Sequence, residues 1–107
     1  VADLFTAIAE PHRRDILDAL LVGEKAVGAL VTDLSLAQPQ VSKHLRVLGE
    51  VGLVRSRADG RRRLYSVEPT RLAPFRDWLA KYERAMSDRL DRVDGYLKEL
   101  QRQGETQ

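Results

Sequence analysis

The chain contains no cysteine, and this absence excludes a great deal. A disulfide scaffold, thiol catalysis and thiolate-based metal or redox sensing all drop out, while the redox compartment stays undetermined. Long apolar runs are missing too. Charge interrupts every stretch well before the roughly 18 residues that a membrane span requires. The opening Val1-Ala2-Asp3-Leu4-Phe5 has an acid where a secretory leader would carry bases. No paired acid and base, no nucleophile with its base and no glycine-rich phosphate loop is visible. The expectation is a cytoplasmic protein that is not an enzyme and does not engage membranes.

What remains is 107 residues, enough for one domain with a modest core. A second subunit is the natural cover for any extended apolar element in so short a chain. The formal net charge of +2 hides an uneven distribution. Residues 1–37 carry three bases against six acids, a net −3. Residues 38–66 carry seven bases against two acids, a net +5, and residues 67–107 balance eight against eight. Positive charge gathered in the middle third is the pattern of a polyanion-binding face.

Periodicity supplies the frame. A short amphipathic helix over residues 3–10 stops before Pro11, which suits the first turn of a second helix because its missing N–H is not needed there. That helix carries Ile16, Leu17, Leu20 and Leu21 and ends at Gly23. Val27, Leu30, Val31 and Leu34 form one further stripe, and Val41, Leu45 and Leu48 another. Two short helices joined by a few residues make a helix-turn-helix pattern. With its stripe turned inward, the second of them leaves Gln40, Lys43, His44 and Val47 outward, flanked by Ser42 and Arg46, with Gln38 in its first turn. Such side chains suit phosphates and base edges. For His44 a partly exposed packing role stays open.

After Gly52, residues 53–58 form a strand. Asp59-Gly60 signals a hairpin, and residues 61–67 return. Arg61, Arg62 and Arg63 crowd its turn, as expected for gripping a nucleic-acid backbone, with a simply solvated turn as the alternative. From Thr70, expected as an N-cap, the rest is helical, with apolar residues at successive steps of three and four from Leu72 to Leu100. Asp77 with Lys81, Asp88 with Arg92 and Asp94 with Lys98 are acid-first i,i+4 pairs that would support a solvated face. Gly95 is a weak point where the helix could bend or break. A helix of some thirty residues spans about 45 Å, too long for this domain to cover. Its stripe is therefore expected to meet a second copy of the chain, through Leu4, Phe5, Phe75, Leu79, Tyr82, Met86, Leu90, Val93 and Leu97, the alternative being that it folds back on its own domain. The fold class is mainly α with a small β-hairpin, in the order α-α-α-α-β-β-α. Residues 1–69 form the DNA-binding domain, 70–103 a dimerisation helix within it, and 104–107 a frayed tail.

These residues also carry a family likeness. Ala9-Glu10-Pro11-His12-Arg13-Arg14-Asp15-Ile16-Leu17 resembles the opening of ArsR/SmtB-type bacterial winged-helix regulators, and Gln38 to Leu48 resembles their recognition helix. Gly52-Leu53-Val54 and Asp59-Gly60-Arg61 complete the pattern in order and spacing, so the likeness covers about residues 4 to 100. Residues 75–100 are similar to the cysteine-free, long-tailed members. The resemblance implies a winged helix-turn-helix homodimer that represses transcription from an imperfect inverted repeat in double-stranded DNA. It assigns Gln38, Gln40, Ser42, Lys43, His44 and Arg46 to the major groove. Arg61 and Arg62 go to the wing, and Arg63 and Arg57 join them unless strand alternation turns them away. Two departures stand out. Ala37 replaces the serine that commonly caps the recognition helix, leaving Ser35 or nothing to do so, and Gly49 replaces a helix former.

No metal or other cofactor is expected. The helix before the recognition helix has no thiol, the C-terminal helix has no histidine, and His12 and His44 lie far apart in sequence. An effector is not identified. An organic ligand near Phe75, Trp78 and Tyr82 is one possibility, and control by protein abundance is another. A winged helix that binds protein or RNA is the competing class.

Overall fold

The computed structural model describes residues 3–105. Two compact units divide after Ala73.

The first unit begins with α1 (Leu4–Ala9), whose N-cap Asp3 accepts a hydrogen bond from the Thr6 N–H at 2.7 Å. The chain turns at Glu10 into α2 (Pro11–Leu20), with Pro11 at the helix start and the Glu10 carboxylate accepting from the Arg13 N–H at 3.0 Å. Helices α3 (Val27–Leu34) and α4 (Gln38–Glu50) form the helix-turn-helix. Between them Ser35 adopts the left-handed conformation (φ +54°) that reverses the chain. Strands β2 (Val54–Asp59) and β3 (Arg62–Val67) form the expected hairpin, with Asp59 opposite Arg62 and Gly60 at φ +64° in the two-residue turn.

One element escapes the sequence pattern. Lys25–Ala26 forms a short strand, β1, antiparallel to the free edge of β3, so the sheet has three strands in the order β1-β3-β2. Two residues show no alternation. Their strand character comes from the edge they meet.

The helical stripes converge on one core. Ile16, Leu30, Val41, Leu48 and Leu53 are fully buried, joined by Leu20, Leu45, Val54 and Leu64. Burying each large aliphatic side chain stabilises by roughly 1.5–3 kcal/mol, and three of these residues lie on α4. The core thereby fixes which face of α4 looks outward. Leu21, expected on the inner side of α2, is instead exposed beyond the helix end.

The second unit is the single helix α5 (Ala73–Glu105), preceded by a 3-10 turn over Pro69–Leu72. Thr70 does not cap it. The Thr70 hydroxyl donates to the Glu68 carboxylate at 2.9 Å, and the α-helix starts three residues later. α5 is continuous through Gly95 and spans about 50 Å. The frayed tail expected at 104–107 falls partly outside the described residues, and the helix includes Gly104 and Glu105. Among the described residues, the three acid-first pairs form no salt bridges. Arg92 donates to the Asp88 backbone carbonyl instead. No helix among the described residues is long and apolar enough to cross a membrane.

Candidate nucleic-acid interface

Helix α4 starts without a side-chain cap, because Ala37 has no acceptor to offer. Ser35 does not take over. Half of a reciprocal cap is nevertheless made: the Gln40 Oε1 accepts from the Ala37 N–H at 3.2 Å. Gln40 is thus committed at its carbonyl, and its amide N–H groups are what it can present outward. Gln38, Ser42, Lys43 and Arg46 are exposed and have no partner among the described residues. Pro39, Ser42, Lys43 and Arg46 line a shallow concavity of about 330 Å³ on this face. Two unpaired cations beside a hydroxyl and amides can hold phosphate oxygens or guanine and adenine edges.

His44 does not share that face. Its side chain is only 14% exposed, with Nε2 3.9 Å from the Glu10 Oε2 and its ring centroid 5.9 Å from that of His12. Burial is the main influence and pushes the imidazole below its ordinary range, against the attraction of Glu10; Arg13, His12 and Lys43 push the same way as burial. The groove role expected for His44 therefore gives way to the packing role. The long sequence separation of the two histidines had pointed to separate places, whereas the α2–α4 packing brings them together. Glu10 is the residue that sequence reasoning missed here. It caps α2 and faces His44, and its position before Pro11 was the available signal. Partial burial raises the Glu10 carboxyl, but the Arg13 N–H, His44 and His12 together hold it below its usual value.

The wing separates its four arginines. Arg61, in the hairpin turn, has no partner among the described residues. Arg62 donates to the Asp59 carboxylate at 3.1 Å, and Arg63 to the Ser56 hydroxyl at 3.1 Å. Successive strand residues face opposite sides, so these two diverge. Arg57 is the most fully engaged of the four: its guanidinium meets both carboxylate oxygens of Glu24, with Nε at 3.0 Å. This pair raises Arg57 and lowers Glu24 from their usual values. Among the described residues no three His, Asp or Glu side chains assemble into a metal-holding group.

Of the residues expected at a dimer contact, Leu4 packs partly buried against the core of the first unit and Phe5 is exposed beside it. Phe75 is half-buried. Leu79, Tyr82, Met86, Leu90, Val93 and Leu97 form an exposed stripe along α5.

The family model for bacterial regulatory proteins of the arsR family matches residues 10–56, from the α2 cap into β2. The HTH-type transcriptional regulator Rv2034 of Mycobacterium tuberculosis is 43% identical over 76 residues, which are 71% of either chain. The chain belongs to the arsR family. It is a winged helix-turn-helix transcriptional regulator. A probable mercury resistance operon repressor of Streptomyces lividans is 39% identical over 72 residues, covering 67% of this chain and 58% of that relative. The solution structure of the homodimeric winged helix-turn-helix DNA-binding domain of a possible ArsR-family regulator from Mycobacterium bovis superposes with a TM-score of 0.60. It is 31% identical and covers 72% of each chain. These relatives are transcriptional regulators, not enzymes.

Proposed function

We infer that this regulator is a cytoplasmic homodimeric repressor that binds an imperfect inverted repeat in double-stranded DNA. The carrying observation is the outward face of α4, where Ser42, Lys43 and Arg46 stand exposed and unpaired around one concavity, with Gln38 exposed in the first turn of the same helix. Each α4 enters a major groove, and the two half-sites lie about one helical turn apart. Lys43 and Arg46 hold phosphates or guanine edges, and Gln38 and Gln40 read bases with their amides. Arg61 meets the flanking backbone at the wing tip. Arg62 joins it, since an exposed ion pair such as Arg62–Asp59 is easily exchanged for a phosphate. Arg63 lies on the opposite side and contributes less. The dimer forms along the apolar stripe of α5, to which Phe75 belongs, and Leu4 and Phe5 of α1 add to the contact with the second copy.

Electrophoretic mobility shift on the DNA upstream of the protein's own coding sequence tests this reading. Binding should exceed that to a shuffled duplex and fall linearly in log affinity with log salt. Footprinting should show two half-sites. Equal affinity for the shuffled duplex would overturn the repressor assignment.

A further inference from the structure

We propose that His44 is a proton-sensitive positioning residue of the recognition helix, whose protonation unseats α4 and weakens operator binding. The inference rests on the DNA-binding reading above and goes beyond it. His44 lies on α4 itself, one residue from Lys43 and two from Arg46, yet its ring is turned inward to the start of α2. There Nε2 lies 3.9 Å from the Glu10 Oε2. The other ring nitrogen, Nδ1, is buried and has no hydrogen-bond partner among the described residues.

That asymmetry decides what a proton does. A neutral ring with its hydrogen on Nε2 presents that hydrogen to the Glu10 carboxylate and leaves a bare lone pair at Nδ1. A second proton must go to Nδ1, where no acceptor waits, and a buried unsatisfied N–H carries its full desolvation cost. The surroundings add to the penalty. Arg13 and His12 face the ring from α2 and Lys43 adjoins it on α4, with only Glu10 opposing. Asp15 lies 4.0 Å from the His12 ring and so offsets His12 rather than His44. Glu10 is itself engaged by the Arg13 N–H. A charged His44 reaches water only by leaving this seat, and the helical turn bearing Lys43 and Arg46 moves with it.

The sign follows from linkage. The unseated helix takes up the proton more readily than the seated one, so the seated state loses stability as pH falls through the ordinary histidine range and keeps it above that range. A histidine aimed into the DNA groove behaves in the opposite way, because phosphates reward its charge and binding tightens in acid.

The test measures the affinity of the full chain by fluorescence anisotropy on a duplex selected from random DNA, together with NMR titration of the His44 ring. Affinity should fall about tenfold from about pH 7.5 to about pH 5.5, across the range in which an ordinary histidine takes up its proton. The His44 ring should titrate at lower pH in the complex than in the free protein. His44→Gln keeps an N–H directed at Glu10 and cannot take a proton, so its profile should be flat whatever its absolute affinity. Wild-type affinity that is constant or rises toward acid would overturn the proposal. So would an undiminished pH profile in His44→Gln. Should that variant not fold, a His44 titration at equal or higher pH in the complex overturns it. Failure to select any bound duplex at about pH 7.5 would instead remove the DNA-binding reading underneath.

Discussion

The two compact units handle the same kind of apolar periodicity in opposite ways. In the first, steps of three and four along α2 and α4 put Ile16, Leu20, Val41, Leu45 and Leu48 into a core that the chain covers itself. In α5 the same steps leave Tyr82, Met86, Leu90, Val93 and Leu97 each more than half exposed. Periodicity marks where an apolar face lies and says nothing about what covers it. The supply of other elements decides that: α4 is surrounded by α2, α3 and β2, whereas α5 is the second unit entire.

The largest effect should come from breaking the self-covered side. Leu48→Ala opens a cavity at a fully buried position and should cost about 2–5 kcal/mol in urea unfolding. A parent-like midpoint would mean that the core is not centred on α4. Leu90→Glu attacks the other side. A carboxylate in the middle of the α5 stripe should weaken self-association by about 2 kcal/mol or more. Sedimentation velocity should then report monomer, with the unfolding of the first unit little changed. A persistent dimer would place the contact elsewhere.

Smaller substitutions sharpen the contrast within the first unit. Ala37→Ser restores an N-cap acceptor to α4 and should raise stability by about 1 kcal/mol in thermal or urea unfolding. No gain would show that the Ala37 carbonyl, which already accepts from the Gln40 N–H at 3.0 Å, satisfies that donor as well as a hydroxyl would. Arg57→Ala should change least. Its pair with Glu24 is solvent-exposed, so the unfolding midpoint should not move measurably. Because the guanidinium is held by both Glu24 oxygens, the loss of DNA affinity should be smaller than in Arg61→Ala, which should lower both affinity and the salt slope. An Arg57→Ala protein with Arg61→Ala behaviour would place Arg57 in the interface alongside Arg61.

Much of this architecture was legible because local patterns carried it. Pro11, the α4 stripe, and Asp59-Gly60 each specify their element through backbone chemistry that a few neighbouring residues settle. What was not legible depended on distant partners. β1 exists because β3 offers it an edge, and Arg57 is held by a glutamate 33 residues away. Thr70 is a local miss: it lies inside a 3-10 turn that delays the start of α5 by three residues. His44 is a different case, since its placement was available. It lies three residues after Val41 and four before Leu48, on the same helical ridge as those buried residues. A polar side chain beside a basic cluster drew the assignment outward, and the geometry of the ridge favours the inside. For Lys43, Ser42 and Arg46 pattern and position agree.

The bare stripe on α5 has a consequence for dosage. When the surface that completes a regulator is a second copy of itself, assembly is second order in protein, and stability and concentration become inseparable. Below the dimer dissociation constant, the amount of assembled repressor follows the square of the chain concentration. Halving the chain then cuts the assembled form about fourfold. Promoter output would therefore register dilution of the protein more steeply than a monomeric binder could, with no small molecule involved.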